Sequence, residues 1–353
     1  MKGIILHGGY GTRLGPLTQN GPKQLIPLAN KPMSQYALDD LKNSGIIDIA
    51  IIVGDVFPEK VKNFYGDGSK FGTKITYIHQ DKPRGISHAI GLCKDFVGDD
   101  KFVVYLGDNV MRKDLESFVT KFQTSEYDCM ILLSEVDDPS KFGIAEFENN
   151  KIKKISEKPK QTTSNKAVIG VYFFTPKFFN IISILQPSKR GELEVTDALQ
   201  LALEKGYSIG YENVSGWWKD TGTPSDILSA TKLILDTMIH HDKDIADKYI
   251  QKSDGVYVGK NTTIESNCIL EKPIIIGDNC TVKSSRLGPY VCIGNSSEID
   301  GTNIKNSIIM ENCKIKTKQS ISDSIIAHGT IIDSKKNQNQ FLVGEKSHIK
   351  LSD

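Results

Sequence analysis

The sequence predicts an α/β domain built on a doubly wound, mostly parallel sheet, followed by a parallel β-helix. Two periodicities carry this prediction. Up to about Trp218, short apolar runs alternate with amphipathic windows of helical length, which is typical of β-α-β units. From Val258 onward, apolar residues recur about every six positions, which suits neither an α-helix nor an alternating strand and indicates hexapeptide coils.

The elements of the first region can be placed in order from these runs. A short first strand ends near Leu6, and a hairpin joins Phe142 to Ala145 with Ile152 to Ile155. Further strands are expected at Ile47 to Val53, Ile75 to Ile78, Phe102 to Leu106, Met130 to Leu133 and Val168 to Phe174. Helices are expected at Ser34 to Ser44, Ile86 to Phe96, Asp114 to Phe122, about 195 to 204, and Pro224 to about Ile239.

Such a Rossmann-like sheet binds ligands outside the carboxyl ends of its strands. Three polar loops follow predicted strands in this sequence. They are the glycine loop that starts at Gly8, the stretch Gln80 to Gly85, and Gly107-Asp108-Asn109. We therefore expect these loops to meet at one edge of the sheet.

The six-residue period defines the second domain. It runs through Val258, Ile264, Leu270, Ile276, Val282, Leu287, Ile293, Ile299, Ile304, Ile309, Ile315, Ile321, Ile326 and Ile332. Glycines after an apolar position should let the chain turn a corner (Gly259, Gly277, Gly288, Gly294), and small residues should fit the interior (Thr262, Cys268, Cys280, Ser297, Thr330). We expect a first domain at 1–239, a linker at 240–253, the β-helix at 254–335 and a tail at 336–353.

Composition excludes several classes of function. The chain has 353 residues, enough for about two domains, and 44 basic residues nearly balance 43 acidic ones. No overall field therefore draws it to nucleic acid or to an anionic membrane. The first apolar run, Gly3 to Leu6, is too short for a signal peptide or membrane span, so we expect a cytoplasmic protein. The six cysteines show no CxxC pair or zinc spacing, which favours reduced thiols.

The glycine loop has the composition of a phosphate site. Gly8, Gly9 and Gly11 allow backbone N–H groups to approach phosphate oxygens, and Arg13 can donate to two of those oxygens. The alternative is a tight turn with a surface arginine. Lys23 favours the phosphate site, because Pro22 and the apolar run after it hold this lysine near the loop.

Two aspartates are candidate Mg²⁺ ligands. Nucleoside triphosphates arrive with Mg²⁺, which takes one or two carboxylates besides phosphate and water oxygens. Asp108 ends a predicted strand and Asp220 lies in Lys-Asp-Thr-Gly, where either could instead be an ordinary cap or turn residue. Lys158 could hold a second phosphate or be an exposed loop lysine.

Taken together, the motifs resemble a known family. The run GGYGTRLGPLT…PKQLIPLANKP, followed in order by QDKPRG, YLGDN, FGIAEF, SEKPK, RGELEVTDAL and WWKDTG, closely resembles the sugar-1-phosphate nucleotidylyltransferases, and in particular the long glucose-1-phosphate thymidylyltransferases. The resemblance covers essentially the whole chain. It implies the nucleotidyltransferase fold with a left-handed β-helix, and a Mg²⁺-dependent reaction of dTTP with glucose 1-phosphate that gives dTDP-glucose and pyrophosphate.

The resemblance also implies residue roles. Catalysis would fall to Arg13, Lys23, Asp108, Lys158 and Asp220, with Asp108 and Asp220 holding the metal. The nucleotide would be bound by Leu6, Gly8, Gly9, Gly11, Thr12, Arg13, Lys23, Gln24, Gln80 and Gly85. The sugar phosphate would be bound by Asn109, Gly143, Glu157, Lys158, Tyr172 and Glu194.

Two residues depart from the family pattern beside the nucleotide. His7 stands where the family usually has alanine, so it could crowd or contact the base or ribose, and Gly15 replaces a larger residue behind Arg13. Three other functions stay open, namely a UTP-preferring uridylyltransferase, a bifunctional protein whose β-helix is an acyltransferase using His328, and a non-catalytic nucleotide-binding paralogue. The expected partners are a nucleoside triphosphate and a sugar 1-phosphate, with no nucleic acid or membrane, and the β-helix faces suit a homo-oligomer.

Overall fold

Strands and helices alternate through the first two-thirds of the chain, as the hydrophobic runs predict. The structure is a computed structural model that describes residues 1–112, 115–237 and 248–334. Its residues cluster into two units, the first made of Met1–Tyr10, Asn20–Leu25 and Met33–Asp220, and the second of Gly11–Gln19, Ile26–Pro32 and the described chain from Thr221 onward.

The first unit is an α/β sandwich. Its strands are β1 (Lys2–His7), β4 (Asp48–Val53), β5 (Lys74–His79), β6 (Phe102–Leu106), β7 (Asn109–Met111), β8 (Cys129–Glu135), β9 (Gly143–Glu148), β10 (Lys151–Glu157), β11 (Lys166–Phe174), β12 (Ile209–Asn213) and β13 (Trp218–Asp220). Its helices are α1 (Met33–Asn43), α2 (Pro58–Tyr65), α3 (Ile86–Gly91), α4 (Lys94–Val97), α5 (Glu116–Thr124), α6 (Phe178–Ile184) and α7 (Val195–Glu204). The start of the predicted helix at Asp114 lies outside the described residues.

The main sheet has the order β10-β9-β11-β6-β1-β4-β5, and β8 pairs with both β11 and β12. Strands β6, β1, β4 and β5 are parallel, whereas β11 runs antiparallel to β6, β8 and β9. Alternate residues of β1 enter different cores, with Ile4 and Leu6 on one face and Ile5 on the other. Helices cover both faces, so the doubly wound fold is confirmed, and its parallel half carries the three polar loops.

These loops meet at the carboxyl edge of the parallel strands. The amide of Gly107 donates to the carbonyl of Leu6 at 3.0 Å, and the amide of Gln80 donates to that of Val53 at 2.8 Å. Neighbouring parallel strands therefore end together, and the polar residues that follow them are brought side by side, as expected.

One helix differs from its predicted form, whereas the hairpin agrees with it. The expected helix from Ile86 to Phe96 is two short helices, α3 and α4, separated by Leu92 and Cys93. α3 ends at Gly91, a weak helix former, and a Cβ there would lie 3.2 Å from Ile182 of α6. The hairpin turns at Asn149 and Asn150, both with positive φ, which asparagine tolerates better than most residues.

The second unit contains β2 (Pro27–Leu28), β3 (Lys31–Pro32), α8 (Pro224–Thr237) and the β-helix. The β-helix strands are β14 (Ile250–Ser253), β15 (Val256–Val258), β16 (Thr263–Ile264), β17 (Ile269–Leu270), β18 (Ile274–Ile276), β19 (Thr281–Lys283), β20 (Arg286–Leu287), β21 (Val291–Ile293), β22 (Glu298–Asp300), β23 (Asn303–Lys305), β24 (Ser307–Ile309), β25 (Lys314–Lys316), β26 (Ser320–Ser322), β27 (Ile325–Ile326) and β28 (Ile331–Asp333). Part of the expected linker, the end of the expected helix at Ile239 and the whole expected tail at 336–353 lie outside the described residues.

Three parallel sheets form the β-helix, which is consistent with the left-handed type. Their orders are β15-β18-β21-β24-β27, with β14 antiparallel at the edge of this sheet, β16-β19-β22-β25-β28 and β17-β20-β23-β26. Every apolar position of the six-residue period falls in a separate strand, and these residues make one core. Gly277 shows why glycine recurs, because a Cβ there would lie 2.5 Å from Asn295 of the next coil. Close approach of coils, besides corner turning, thus requires glycine.

The cysteines are free thiols, as expected, and five of the six are buried. Cys280 and Cys313 lie in the β-helix core, where burial raises the pKa of both thiols. Among the described helices, none has both the length and the apolar character needed to span a membrane.

Candidate active site

An ion pair joins the loop after β6 to the segment after the glycine loop. Lys23 lies in a 3-10 turn (Lys23–Leu25), and its Nζ donates to Oδ2 of Asp108. Burial alone would raise the pKa of Asp108, but the charge and hydrogen bond of Lys23, helped by Asn109, lower it overall. Asp108 is therefore an anion at neutral pH, with a lysine at its side.

Asp220 is brought next to Asp108 by a separate two-stranded sheet. Strands β7 and β13 are antiparallel, and Asp220 pairs with Asn109, the residue after Asp108. Asn109 is buried and its Oδ1 accepts from the amide of Gly170 at 3.2 Å and from Trp218 Nε1 at 2.7 Å, while its Nδ2 donates to Asp108 Oδ1 at 3.0 Å. The amide of Asn109 thus fixes the Asp108 carboxylate.

These two carboxylates fit a divalent metal that also takes ligands from a substrate. Mg²⁺ needs one or two carboxylates when phosphate oxygens complete its shell. Within the described ranges, no group of three or more His, Cys, Asp or Glu residues has the geometry of a complete protein metal site. The neighbouring carboxylates of Asp108 and Asp220 fit a metal that takes its other ligands from phosphate and water.

A second cluster surrounds Gln80, which is buried after β5. Its Nε2 donates to His88 Nδ1 at 3.0 Å and lies 3.4 Å from the carbonyl of Gly85. Its Oε1 would lie 3.4 Å from a Cβ at Gly8. Gln24 is also buried, and its Nε2 donates to the carbonyl of Gly8 at 3.1 Å, so both glutamines face the start of the glycine loop.

Gly85 has a backbone reason to be glycine. Its φ is +104°, and a Cβ there would lie 2.5 Å from the carbonyl oxygen of Leu193. The amide of Leu193 donates to the carbonyl of Arg84 at 2.8 Å, and the amide of Ser87 donates to that of Leu193 at 3.0 Å. The loop after β5 is therefore joined to the segment before α7 through main-chain hydrogen bonds.

Two acidic side chains, one from that segment and one from β10, meet at Arg190. Glu194 is buried and its Oε1 accepts from Arg190 Nη2 at 2.7 Å and from Ser188 Oγ at 3.1 Å. Glu157, at the end of β10, accepts from Thr196 Oγ1 at 3.0 Å and from Arg190 Nη2 at 3.2 Å. A single arginine therefore connects the two glutamates.

The remaining expected sugar-site residues lie around this cluster. Lys158 has a positive φ of 44°, which is unusual for lysine, and its Nζ lies 3.5 Å from Glu157 Oε1. A Cβ at Gly143 would lie 2.4 Å from Thr196 and 3.4 Å from Glu157 Oε2. Tyr172 is buried, and its pKa is raised first by burial and then by the charges of Glu157, Asp108 and Asp220.

The other part of the glycine loop belongs to the second unit. Gly11 has a left-handed conformation with φ 61° and precedes a 3-10 turn (Thr12–Leu14) that carries Arg13. A Cβ at Gly222 would lie 2.8 Å from Arg13 Nη2. Gly222 thus leaves room for the guanidinium of Arg13. Gly15 ends this turn, and His328 is an exposed residue between β27 and β28.

Gly9 has a φ of +95° with open space where a Cβ would lie. The Leu6 side chain packs in the core, and its carbonyl accepts from the amide of Gly107. Sequence reasoning missed the structural roles of Arg190, Thr196 and His88. The first two were inside the quoted motif RGELEVTDAL, whereas His88 becomes visible only when Gln80 is seen to donate to it.

Comparison with known proteins agrees with this architecture. The nucleotidyl transferase family model matches residues 2–237, and the GMPPB C-terminal domain model matches residues 271–352. The low-salt glycan biosynthesis nucleotidyltransferase Agl11 of Haloferax volcanii is 42% identical, over 99% of this chain and 100% of that protein. Glucose-1-phosphate thymidylyltransferase of Streptomyces griseus is 34% identical over 100% of both chains.

Solved structures give the same picture over about two-thirds of the chain. A Bacillus anthracis protein described as a glucose-1-phosphate thymidylyltransferase, in complex with a sucrose, is 45% identical with a TM-score of 0.63 over 66% of this chain and 94% of that one. UDP-glucose pyrophosphorylase bound to UDP-glucose is 27% identical with a TM-score of 0.60 over 67% of this chain and 98% of that one. From the family match and the full-length relatives, this chain belongs to the sugar-1-phosphate nucleotidyltransferase family.

Proposed function

We propose that this protein makes dTDP-glucose and pyrophosphate from dTTP and glucose 1-phosphate, with Mg²⁺ as its metal. The observation that carries the proposal is the placement of Asp108, just before β7, beside Asp220 of β13, with Lys23 bound to Asp108. The choice of thymidine and glucose is supported by the full-length similarity to the Streptomyces griseus thymidylyltransferase.

The reaction depends more on stabilising the negative charge of the phosphates than on transferring a proton. A phosphate oxygen of glucose 1-phosphate attacks the α-phosphorus of dTTP, and the bond from that phosphorus to the bridging oxygen of the β-phosphate breaks. The attacking oxygen is already ionised at neutral pH, so no general base is required. Rate enhancement then comes from in-line positioning and from cations that stabilise the charge on the leaving pyrophosphate.

We assign the neutralisation and binding of the phosphate groups to three cationic side chains. Lys23 is held by Asp108 near the glycine loop and would neutralise the triphosphate, as would Arg13. Lys158 would hold the phosphate of the sugar substrate. Asp108 and Asp220 would hold the metal, which when bound supplies further positive charge to the phosphates.

The two ends of the site would recognise the two organic groups. Gln80 can accept from the N3–H of a pyrimidine, because its Nε2 is already used by His88 and its Oε1 lies toward Gly8. Glu194 and Glu157 are carboxylates that accept from hydroxyl groups, which suits a hexose. Arg190 donates to both carboxylates and so holds them in place between turnovers.

A substrate matrix tests the proposal. Pyrophosphate release is measured with dTTP, UTP, CTP, ATP and GTP against glucose, galactose, mannose and N-acetylglucosamine 1-phosphates in the presence of Mg²⁺. We expect the highest kcat/KM for dTTP with glucose 1-phosphate. Inertness with every pair would refute the enzyme assignment, and a different best pair would refute the substrate assignment.

UTP preference is the second candidate. It is favoured by the similarity to UDP-glucose pyrophosphorylase bound to UDP-glucose, and Gln80 would accept equally well from uracil and thymine, which share N3–H. A kcat/KM with UTP above that with dTTP would select it.

We also propose that the chain self-associates through the β-helix and is located in the cytoplasm. The proposed domain limits lie near residues 239, 254 and 335.

A further inference from the structure

His7 is a buried polar side chain that the described protein leaves without a hydrogen bond. It is the last residue of β1 and only 5% exposed, and neither ring nitrogen has a partner among the described residues. A buried polar atom without a partner costs about 1–3 kcal/mol, and native proteins rarely accept that cost without a reason. A partner that arrives with a substrate would supply the missing hydrogen bond.

The surroundings of His7 point toward the nucleotide. His7 lines a pocket together with Gly8, Gly9 and Gln80, on the edge where β1, β4 and β5 end. A Cβ at Gly107 would lie 3.2 Å from His7 Cδ2, so the imidazole also reaches the loop that carries Asp108. His7 therefore lies between the proposed base-reading glutamine and the proposed metal carboxylate.

The opposite side of the imidazole is closed by protein. The ring of Tyr65 packs edge-on at a centroid distance of 6.0 Å, and the hydroxyl of Tyr65 is already 2.7 Å from Ser34 Oγ. Burial lowers the pKa of His7 to about 3, although the charge of Asp108 acts in the opposite direction. The imidazole is consequently neutral at physiological pH, with one donor and one acceptor nitrogen.

A neutral imidazole between a base-reading residue and a triphosphate site suits one part of a nucleotide, the ribose that joins base to phosphate. A ribose hydroxyl both donates and accepts, and so complements either tautomer of His7. We infer that His7 binds a hydroxyl of the nucleotide ribose and is a specificity-determining residue of this site. The inference rests on the proposed function, because it takes a nucleoside triphosphate as the ligand.

Binding measurements that need no turnover test this role. The affinities of dTTP and 2′,3′-dideoxythymidine triphosphate are measured by titration calorimetry with Mg²⁺ for the wild-type protein, His7→Leu and His7→Gln. One lost hydrogen bond is worth about tenfold in Kd. We expect the wild type to prefer dTTP by about tenfold, His7→Leu to bind the two nucleotides equally, and His7→Gln to regain part of the preference.

The same data separate the possible failures. If His7→Leu keeps the wild-type preference for dTTP, or if the wild type binds both nucleotides equally, the inference is wrong although the proposed function stands. If the wild type binds neither nucleotide, both are wrong. Thermal melting checks that each variant is folded, and His7→Ala replaces His7→Leu, with the same expectation, if the leucine variant is not.

Discussion

At the scale of single residues, Asp108 is where structure and proposed chemistry meet. Its side chain is held from two sides, by the ammonium of Lys23 and by the amide of Asn109. Such an arrangement lowers the pKa of the carboxyl group despite its burial, and it keeps the carboxylate in one orientation. A metal ligand benefits from both effects, because only the anion binds the metal and a fixed anion loses less entropy.

Asp108→Asn is therefore expected to reduce kcat/KM for pyrophosphate release by at least about a hundredfold. The substitution removes the negative charge that would bind the metal, but it preserves the shape of the side chain. The matched control is Asp138→Asn, which changes a half-exposed aspartate that also pairs with a lysine, Lys141, at 3.0 Å. That control should keep wild-type activity. Equal activity of Asp108→Asn and the control would contradict the assigned role.

His7 also makes a prediction about stability. Its folded pKa of about 3 lies below its ordinary value of 6.5, so between those pH values the unfolded chain binds a proton that the folded chain does not. The wild type must therefore lose stability relative to His7→Leu as pH falls from about 6.5 toward about 3. From pH 7 to pH 5 we expect a relative loss of about 2 kcal/mol.

Urea unfolding followed by tryptophan fluorescence measures this loss. Trp217 and Trp218 are the only tryptophans in the sequence and lie in the same unit as His7, so their signal reports the unfolding of that unit. Comparison with His7→Leu cancels other titrating groups. A stability difference that does not change between pH 7 and pH 5 would mean that His7 titrates normally in the folded protein.

At the scale of elements, the loop after β5 and the segment before α7 act as one piece. Two main-chain hydrogen bonds of Leu193 connect them, and Gly85 allows the close approach. The first carries Gln80 and the second carries Glu194, so residues proposed for two different substrates lie on joined segments. This coupling could not be predicted from the sequence, because no local pattern shows that Gly85 will meet a backbone more than a hundred residues away.

Gly85→Ala tests the joined segments. Its Cβ would collide with main-chain atoms of Leu193, which cannot rotate away, and its φ of +104° disfavours any side chain. We expect a loss of about 2–4 kcal/mol in stability and a higher KM for both substrates.

Gly98→Ala is the control for Gly85→Ala. It also has a positive φ, 59°, but nothing lies within 4 Å of its Cβ position, so it should cost only about 1 kcal/mol and leave KM unchanged. Urea unfolding and steady-state kinetics measure both variants. Equal effects of the two substitutions would show that the approach of Leu193 does not matter.

At the scale of the whole molecule, hydrophobic periodicity predicted the architecture because burial requires it. Patterns that extend over many residues predicted the strand from Phe102 to Leu106 and the buried β-helix positions such as Ile276 and Ile293. They did not predict the break between α3 and α4, because it falls next to one weak helix former, Gly91, inside a window with a helical pattern. Long patterns average over such local details.

The candidate site could likewise be predicted from the sequence only in part. Strand ends predicted that Gln80 and Asp108 would lie at one edge, and the paired strands bring Asp220 there as well. The partners that fix these side chains, such as Arg190 for the glutamates and Trp218 for Asn109, required the folded structure. These partners come from distant parts of the chain, and their residue types alone do not indicate which side chains they contact.

The most direct measurement is phosphorus-31 NMR of dTTP and glucose 1-phosphate incubated with the protein and Mg²⁺. The proposed chemistry predicts that dTDP-glucose and pyrophosphate appear in equal amounts while both substrates disappear, and that Asp108→Asn slows this change by at least about a hundredfold. Spectra in which both substrates persist, or in which dTTP yields inorganic phosphate without a nucleotide sugar, would contradict it.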